Sequence, residues 1–141
     1  MDVLFDTNVV MNFITGREDK FSESSTEAVV RCSKGYFRGY VAFHSLSTLW
    51  YVLRKEMPDY RVRDNLLNVC KVLRVTGAPH WRVVQAIKNN DFKDFEDCLQ
   101  DECAKSVNAQ LIVTCNVRDY TCAGTTAVTP DQFLDILDGA T

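Results

Sequence analysis

Hydrophobic residues fall along this chain in short runs that alternate with stretches of helical spacing. Val3-Leu4-Phe5 is such a run, followed by Asp6-Thr7-Asn8, and Val9 to Ile14 then reads as a brief helix stopped at Gly16. A buried strand feeding a helix has this form. Ala28, Val29 and Cys32 share a face of a second helix, with Ser24 or Ser25 as the expected cap and Gly35 as the stop. Tyr40-Val41-Ala42-Phe43 reads as the second strand. Ser45 is the expected cap of a helix through Leu46, Leu49, Trp50 and Leu53, whose basic end Arg54-Lys55 complements the helix dipole ahead of Pro58. From Asp59 to about Val72, Val62, Leu66, Leu67, Val69 and Cys70 keep helical spacing, and Val72 to Val75 suits a short strand before Gly77-Ala78-Pro79 breaks it.

The second half repeats the alternation. Trp81 to Ile87 reads as a short amphipathic helix, and Asn89-Asn90-Asp91 as a turn. A helix from about Phe95 to Val107 aligns Phe95, Cys98, Leu99, Cys103 and Val107 in one apolar stripe, and Leu111-Ile112-Val113-Thr114 is the clearest strand in the chain. Residues 116–120 suit a turn or short helix and Thr126 to Val128 a last strand. Thr129-Pro130-Asp131-Gln132 then has a cap, a proline at the first helical position and a glutamine at the third, the arrangement of a capping box. Strands alternating with helices predict an α/β fold, with a central, mainly parallel sheet, right-handed crossovers and helices on both faces. In such folds the active crevice lies beyond the carboxyl ends of the strands. With 141 residues and no repeat, linker or low-complexity stretch, residues 1–141 are expected to form one domain.

Composition narrows the classes without naming one. Hydrophobic content of 46% and charged content of 25% are those of an ordinary globular protein. The longest apolar runs are a few residues, far short of the roughly 20 that span a membrane. The opening Met1-Asp2-Val3-Leu4-Phe5-Asp6 lacks the basic segment of a signal peptide, so a cytoplasmic protein with no membrane partner is expected. A net charge of −3 argues against coating nucleic acid through bulk charge. The six cysteines include no C-x-x-C pair and there are two histidines, His44 and His80; reduced, mostly buried thiols are expected, and no structural zinc.

The acids carry the candidate chemistry. Asp6 follows the first strand, and Asn116 and Asp119 follow the strand ending at Thr114, so both segments reach the same edge of a parallel sheet. At about 100° per residue, Asp94, Asp97 and Asp101 lie within an arc of about 60°, away from the stripe of Phe95, Leu99 and Cys103. On that helix alone a solvated face and a metal-holding face make the same pattern. Asp94 also gains from the positive helix N-terminus with no metal at all. Three segments converging with oxygen donors shift the balance to Mg²⁺ or Mn²⁺, ions that activate a water and stabilise charge on a phosphodiester. A phosphatase or nucleotide-handling protein is disfavoured, because no Asp-x-Asp follows the first strand and no G-x-x-x-x-G-K-[ST] loop occurs.

Phe5-Asp6-Thr7-Asn8-Val9 resembles the opening strand and turn of PIN domains. Asp94-Phe95-Glu96-Asp97-Cys98-Leu99-Gln100 is similar to the family's acidic helix, and Leu111 to Tyr120 to its strand followed by Thr-x-Asn-x-x-Asp-aromatic. Thr126 to Leu134 resembles its final strand and helix entry, so the likeness spans nearly the whole chain in order and spacing. It implies a three-layer α/β/α sandwich. The nearest look is to VapC-like toxins of bacterial toxin–antitoxin pairs, Mg²⁺- or Mn²⁺-dependent endoribonucleases held by an antitoxin. That resemblance makes Asp6, Asp97 and Asp119 the metal ligands, with Asp94 an auxiliary catalytic acid and Asn116 adjoining. Thr7 and Asn8 would orient the first acid or the attacking water, and Thr114 would support the site from the strand end.

One position departs from the pattern. Where the family usually places a glutamate, in Ser47-Thr48-Leu49-Trp50-Tyr51-Val52-Leu53-Arg54-Lys55, this chain has Thr48, which can hold a water but brings no charge. The alternative is therefore a catalytically weakened or inactive PIN-fold module that binds RNA or protein. Arg54, Lys55, Arg61 and Arg63 are candidates for RNA phosphates, with Trp50 and Tyr51 to stack, or else they form a solvated helix end. His44 either faces the site or is structural. The apolar helices near Trp50 and Leu66 suit a homodimer.

Overall fold

The computed structural model describes residues 1–139. In chain order the elements are β1 (Asp2–Phe5), α1 (Thr7–Thr15), α2 (Ser22–Ser33), β2 (Arg38–Ala42), α3 (Phe43–Leu53), α4 (Asp59–Val72), β3 (Arg74–Thr76), α5 (His80–Lys88), α6 (Phe95–Ser106), β4 (Leu111–Val113), a 3-10 turn (Val117–Tyr120), β5 (Thr126–Val128) and α7 (Pro130–Leu137). The strands lie in the order β3-β2-β1-β4-β5, and every pair is parallel. The sheet is thus wholly parallel. Its central strands β1 and β4 carry the unbroken apolar runs Val3–Phe5 and Leu111–Val113 that burial on both faces demands, while the edge strands β3 and β5 are partly exposed.

Period-two alternation divides the core. Val3 and Phe5 point into the larger layer with Val9, Val10, Ala28, Leu49, Val69 and Phe133. Leu4 points the other way, into a smaller layer with Cys103 and Ala104 of α6, Ile112 and Tyr120. Phe37 and Phe133 meet edge to face at 4.9 Å between centroids, and Phe5 packs beside both. Gly39 of β2 sits where this layer is tightest: a Cβ there would come within 2.7 Å of Cys32 Sγ and Leu73 Cδ2. Gly39→Ala is therefore expected to cost about 1–3 kcal/mol through overpacking, read as a lower urea midpoint with an unchanged m-value.

Position in the sheet locates the crevice. From the central β1 the chain runs outward to β2 and β3, then returns to build β4 and β5 on the other side. The carboxyl ends of β1 and β4, where that direction reverses, form the topological switch point.

Several local expectations need correction. β3 starts at Arg74, two residues later than expected. Neither Ser24 nor Ser25 caps α2, which begins at Ser22; Ser25 is buried and accepts a hydrogen bond from Asn12 Nδ2 at 3.3 Å. Ser45 does not cap α3, because β2 passes straight into the helix at Phe43 and leaves Ser45 buried inside its first turn. Phe95, at the first position of α6, is half exposed instead of stripe-forming. Asp101 turns inward and accepts from the Gly124 and Thr125 backbone amides at 3.0 and 3.1 Å, so it belongs to the loop before β5. The capping box of α7 forms as expected, with Thr129 and Gln132 bonding reciprocally.

All six cysteines are free, although Cys70 and Cys122 are exposed, not buried. Trp50 and Leu66 pack inward, and the exposed large apolar residues of α3 and α4 are Phe43, Tyr51, Val52, Tyr60 and Leu67. Among the described residues, no helix is long and apolar enough to cross a membrane.

Candidate metal centre

Asp6 is both the last residue before a helix and the N-cap of that helix. Its Oδ1 accepts from the Thr7 amide at 2.7 Å, and its Oδ2 accepts from the Thr114 hydroxyl at 2.8 Å and the Tyr120 hydroxyl at 2.9 Å. An aspartate here follows from capping and from the positive end of the α1 dipole. Burial nevertheless prevails over these donors and lifts the carboxyl above its ordinary range. Asn8 braces the neighbouring segment, its Oδ1 accepting from the Cys115 amide at 3.2 Å.

Asp94 performs the same service for α6, capping it through the Glu96 amide at 2.9 Å. That fixes the first turn of the helix, with Asp97 at its third position. Asp119 lies in the 3-10 turn after β4, and Asn116 sits at the start of that turn. All four predicted acids line one open cavity of about 310 Å³, and so do Thr7, Asn8, Thr48 and Asn116. Thr114 is wholly buried and reaches the site through Asp6. Asp6 is buried, Asp97 half-buried, and Asp94 and Asp119 exposed, so the carboxylates descend from rim to floor.

Charge is the dominant property of this cavity. Burial first, then the neighbouring Asp6, Asp94 and Asp119 carboxylates, push Asp97 up to about 7. The Tyr120 hydroxyl stands 2.9 Å from Asp6 and 3.3 Å from Asp97, but it has one proton to give. Below about pH 7 a proton on Asp97 would fill the second contact from the other side.

Glu96, which carries no mark of a site residue in the sequence pattern, also enters the cavity, its Oε1 3.4 Å from the Thr7 hydroxyl. Thr7 is itself part of a buried relay. Gln100 Nε2 donates to Ser45 Oγ at 2.7 Å and to Thr7 Oγ1 at 3.2 Å, and the two hydroxyls lie 2.7 Å apart. If Ser45 gives its proton to Thr7, the Thr7 proton points to Glu96. Burial, and secondarily Asp94, raises the Glu96 carboxyl above its usual value. Glu96 and Arg17, which line the cavity, and Tyr120, Ser45 and Gln100, which hydrogen-bond to its lining, are the residues of the candidate site that sequence reasoning missed. Only Tyr120 carried a signal, as the aromatic after Asp119.

Other candidates lie elsewhere. Arg54, Lys55, Arg61 and Arg63 do not line the cavity: Arg54 stacks on Trp50 and Tyr51, Lys55 on Tyr51, and Arg63 pairs with Asp59 at 2.7 Å. His44 is half-buried, its Nε2 enclosed without a hydrogen-bond partner among the described residues; burial lowers its pKa, and it is not among the lining side chains.

The donor set fits a hard divalent cation. It is all oxygen, and its mutual repulsion is what such an ion would relieve. Among the described residues, no three acid, imidazole or thiol side chains converge closely enough to enclose an ion unaided. Mg²⁺ is suited to that, because it keeps several waters and uses one or two carboxylates.

A family model described as PIN domain matches residues 2–118 of this chain. No curated protein matches it in sequence. Among solved structures, VapBC2 from Rickettsia felis, bound to a DNA fragment from its promoter, aligns with a TM-score of 0.71 at 15% identity, covering 92% of this chain and 98% of that one. VapC20 of Mycobacterium tuberculosis, a toxin that cleaves the sarcin-ricin loop, aligns at 0.67 and 16% identity, over 89% and 98%. VapBC-1 from nontypeable Haemophilus influenzae aligns at 0.68 and 13% identity, over 93% and 99%. At these identities the likeness is one of fold, and it matches the parallel sheet between two helical layers.

Proposed function

The chain belongs to the PIN domain family, and from that premise we propose that it is a metal-dependent endoribonuclease, the toxin of a toxin–antitoxin pair. The observation that carries this reading is the delivery of Asp6, Asp97 and Asp119 by three chain segments to one cavity at the switch point of the sheet. Mg²⁺ or Mn²⁺ held there by those three acids would supply positive charge opposite the phosphate and an acidified water.

The chain's own groups then have distinct tasks. Asp6 is fixed by four hydrogen bonds, the longest from Asn8 Nδ2 at 3.5 Å, and sets the position of the floor. Asp97, which burial and its neighbours push up to about 7 while no cation is bound, would be ionised by the ion it holds and would then orient the attacking water, whose proton leaves to solvent. As the water oxygen bonds to phosphorus, one ester bond breaks and its oxygen takes a proton from solvent. Asp94 and Asp119, at the open rim, keep the phosphate from the acids unless a cation intervenes. Asn8 and Asn116 offer amide donors beside them.

An antitoxin partner accords with the toxin–antitoxin complexes among the similar folds, and a basic side chain entering the cavity would block it. Thr48 favours the second reading, a module that binds without cutting. The two separate in one assay on a structured RNA. Metal-dependent cleavage that stops with EDTA and in Asp6→Asn is the expected result. Binding without cleavage in excess Mn²⁺ would establish the second reading instead.

A further inference from the structure

Five carboxylates line the cavity, from Asp6, Asp94, Glu96, Asp97 and Asp119, and one cationic side chain joins them, that of Arg17. Arg17 follows Gly16, the left-handed C-cap of α1, and its amide bonds to the Thr15 hydroxyl. Its Nε donates to Asn12 Oδ1 at 2.6 Å. Asn12 is wholly buried and is tied through Nδ2 to Ser25 Oγ at 3.3 Å and Cys115 Sγ at 3.5 Å. The arginine is thus anchored by a neutral amide set in the core. Among the described residues it makes no ion pair within 4.0 Å, despite the acids around it.

An arginine meant to neutralise the cavity would grip one of those acids. This one is held at Nε alone, which leaves both terminal nitrogens to bind something else. The planar fork of a guanidinium matches two oxygens of a phosphate. The groove on the other side of Arg17 is bordered by five acids, Glu18, Asp19, Glu23, Glu27 and Asp131, against one further cation, Lys20, a net acidic border that repels a polyanion. Only on the cavity side would a bound cation reverse that repulsion.

We propose that Arg17 is the substrate-phosphate contact of this site, its terminal nitrogens receiving the phosphodiester oxygens while Asn12 holds the arm in place. The proposal rests on the nuclease reading of the cavity. The contact strengthens as charge builds on those oxygens, so it serves the transition state more than the ground state.

Arg17→Gln and Arg17→Lys test it, with single-turnover cleavage of a fluorescein-labelled single-stranded RNA and Mn²⁺ affinity from water-proton relaxation. Cleavage at saturating protein should fall about 100-fold in Arg17→Gln, and Arg17→Lys should recover only part, lacking the fork. Mn²⁺ affinity should hold or tighten, because a neighbouring cation has gone. Unchanged cleavage overturns the proposal, and so does a parallel loss of cleavage and Mn²⁺ affinity, the mark of a merely structural tether. If the wild-type chain does not cleave, the nuclease reading fails on its own, and Arg17 is judged by anisotropy of the same RNA. The salt slope of binding should then shrink by about one in Arg17→Gln, and an equal slope overturns the contact.

Discussion

Asp97→Asn is expected to cut cleavage by at least about 100-fold and, at pH 8 without metal, to make the protein more stable than the wild type. The two effects share a cause. Asp97 has an ordinary value near 3.8 and is pushed up to about 7 in the fold by burial and three nearby carboxylates. Between those values the folded state binds more protons than the unfolded chain, so stability falls as pH rises from about 4 to about 7. Asparagine keeps the shape and never ionises. A three-unit shift would be worth about 4 kcal/mol in full, and discounting for partial solvent exposure leaves about 1–2 kcal/mol, a rise of roughly 3–8 °C in Tm. Thermal melts at pH 5 and pH 8 should show the wild type losing stability between them and Asp97→Asn losing less. Added Mn²⁺ should restore the wild type at pH 8 and leave the variant nearly unmoved. The accompanying loss of cleavage should be about 10²–10⁴-fold, because a metal ligand and the group that orients the attacking water go together. A variant that is less stable at pH 8 would mean that Asp97 is a structural acid.

Glu96→Gln is expected to reduce cleavage about 10–100-fold, the usual cost of removing a group that orients a metal site. Thr48→Glu in the same chain should then recover most of that loss. Glu96 reaches the cavity from α6 and Thr48 from α3, and Thr7 stands against Glu96. On this expectation Glu96 stands in, from the other wall, for the carboxylate missing at Thr48. In the wild-type background Thr48→Glu should do little, since a further acid adds repulsion as well as a ligand. If Glu96→Gln leaves cleavage unchanged while Thr48→Glu raises it strongly, the site lacks its fourth carboxylate and Glu96 is a surface residue.

The elements that place the site are legible in the amino-acid pattern, and those that tune it are not. β1 with Asp6, β4 with Thr114 and the entry to α7 are marked by apolar runs that end in capping or turn residues, where local chemistry decides the boundary. Ser45 misled because a serine ahead of an apolar stripe looks like a cap; β2 runs directly into α3, and the hydroxyl is spent on Thr7 and Gln100. Asp101 shares a helical arc with Asp97 yet sits a turn further along α6, where two amides before β5 need an acceptor. Glu96 reads as an acid favoured by a helix N-terminus, and only the position of Thr7 shows that it turns inward. Arg17 carries no periodic signal at all. Its role depends on Asn12, a buried polar residue within the apolar α1.

Titration of the metal-free protein with Mn²⁺, at pH 8 and pH 6, tests the central claim most directly. One site should appear, lost in Asp6→Asn and in Asp97→Asn. Because the ion must displace the proton on Asp97, its affinity should weaken by about tenfold for each pH unit below about 7. Binding that is absent in the wild type, or equal in the wild type and both variants, would contradict the account.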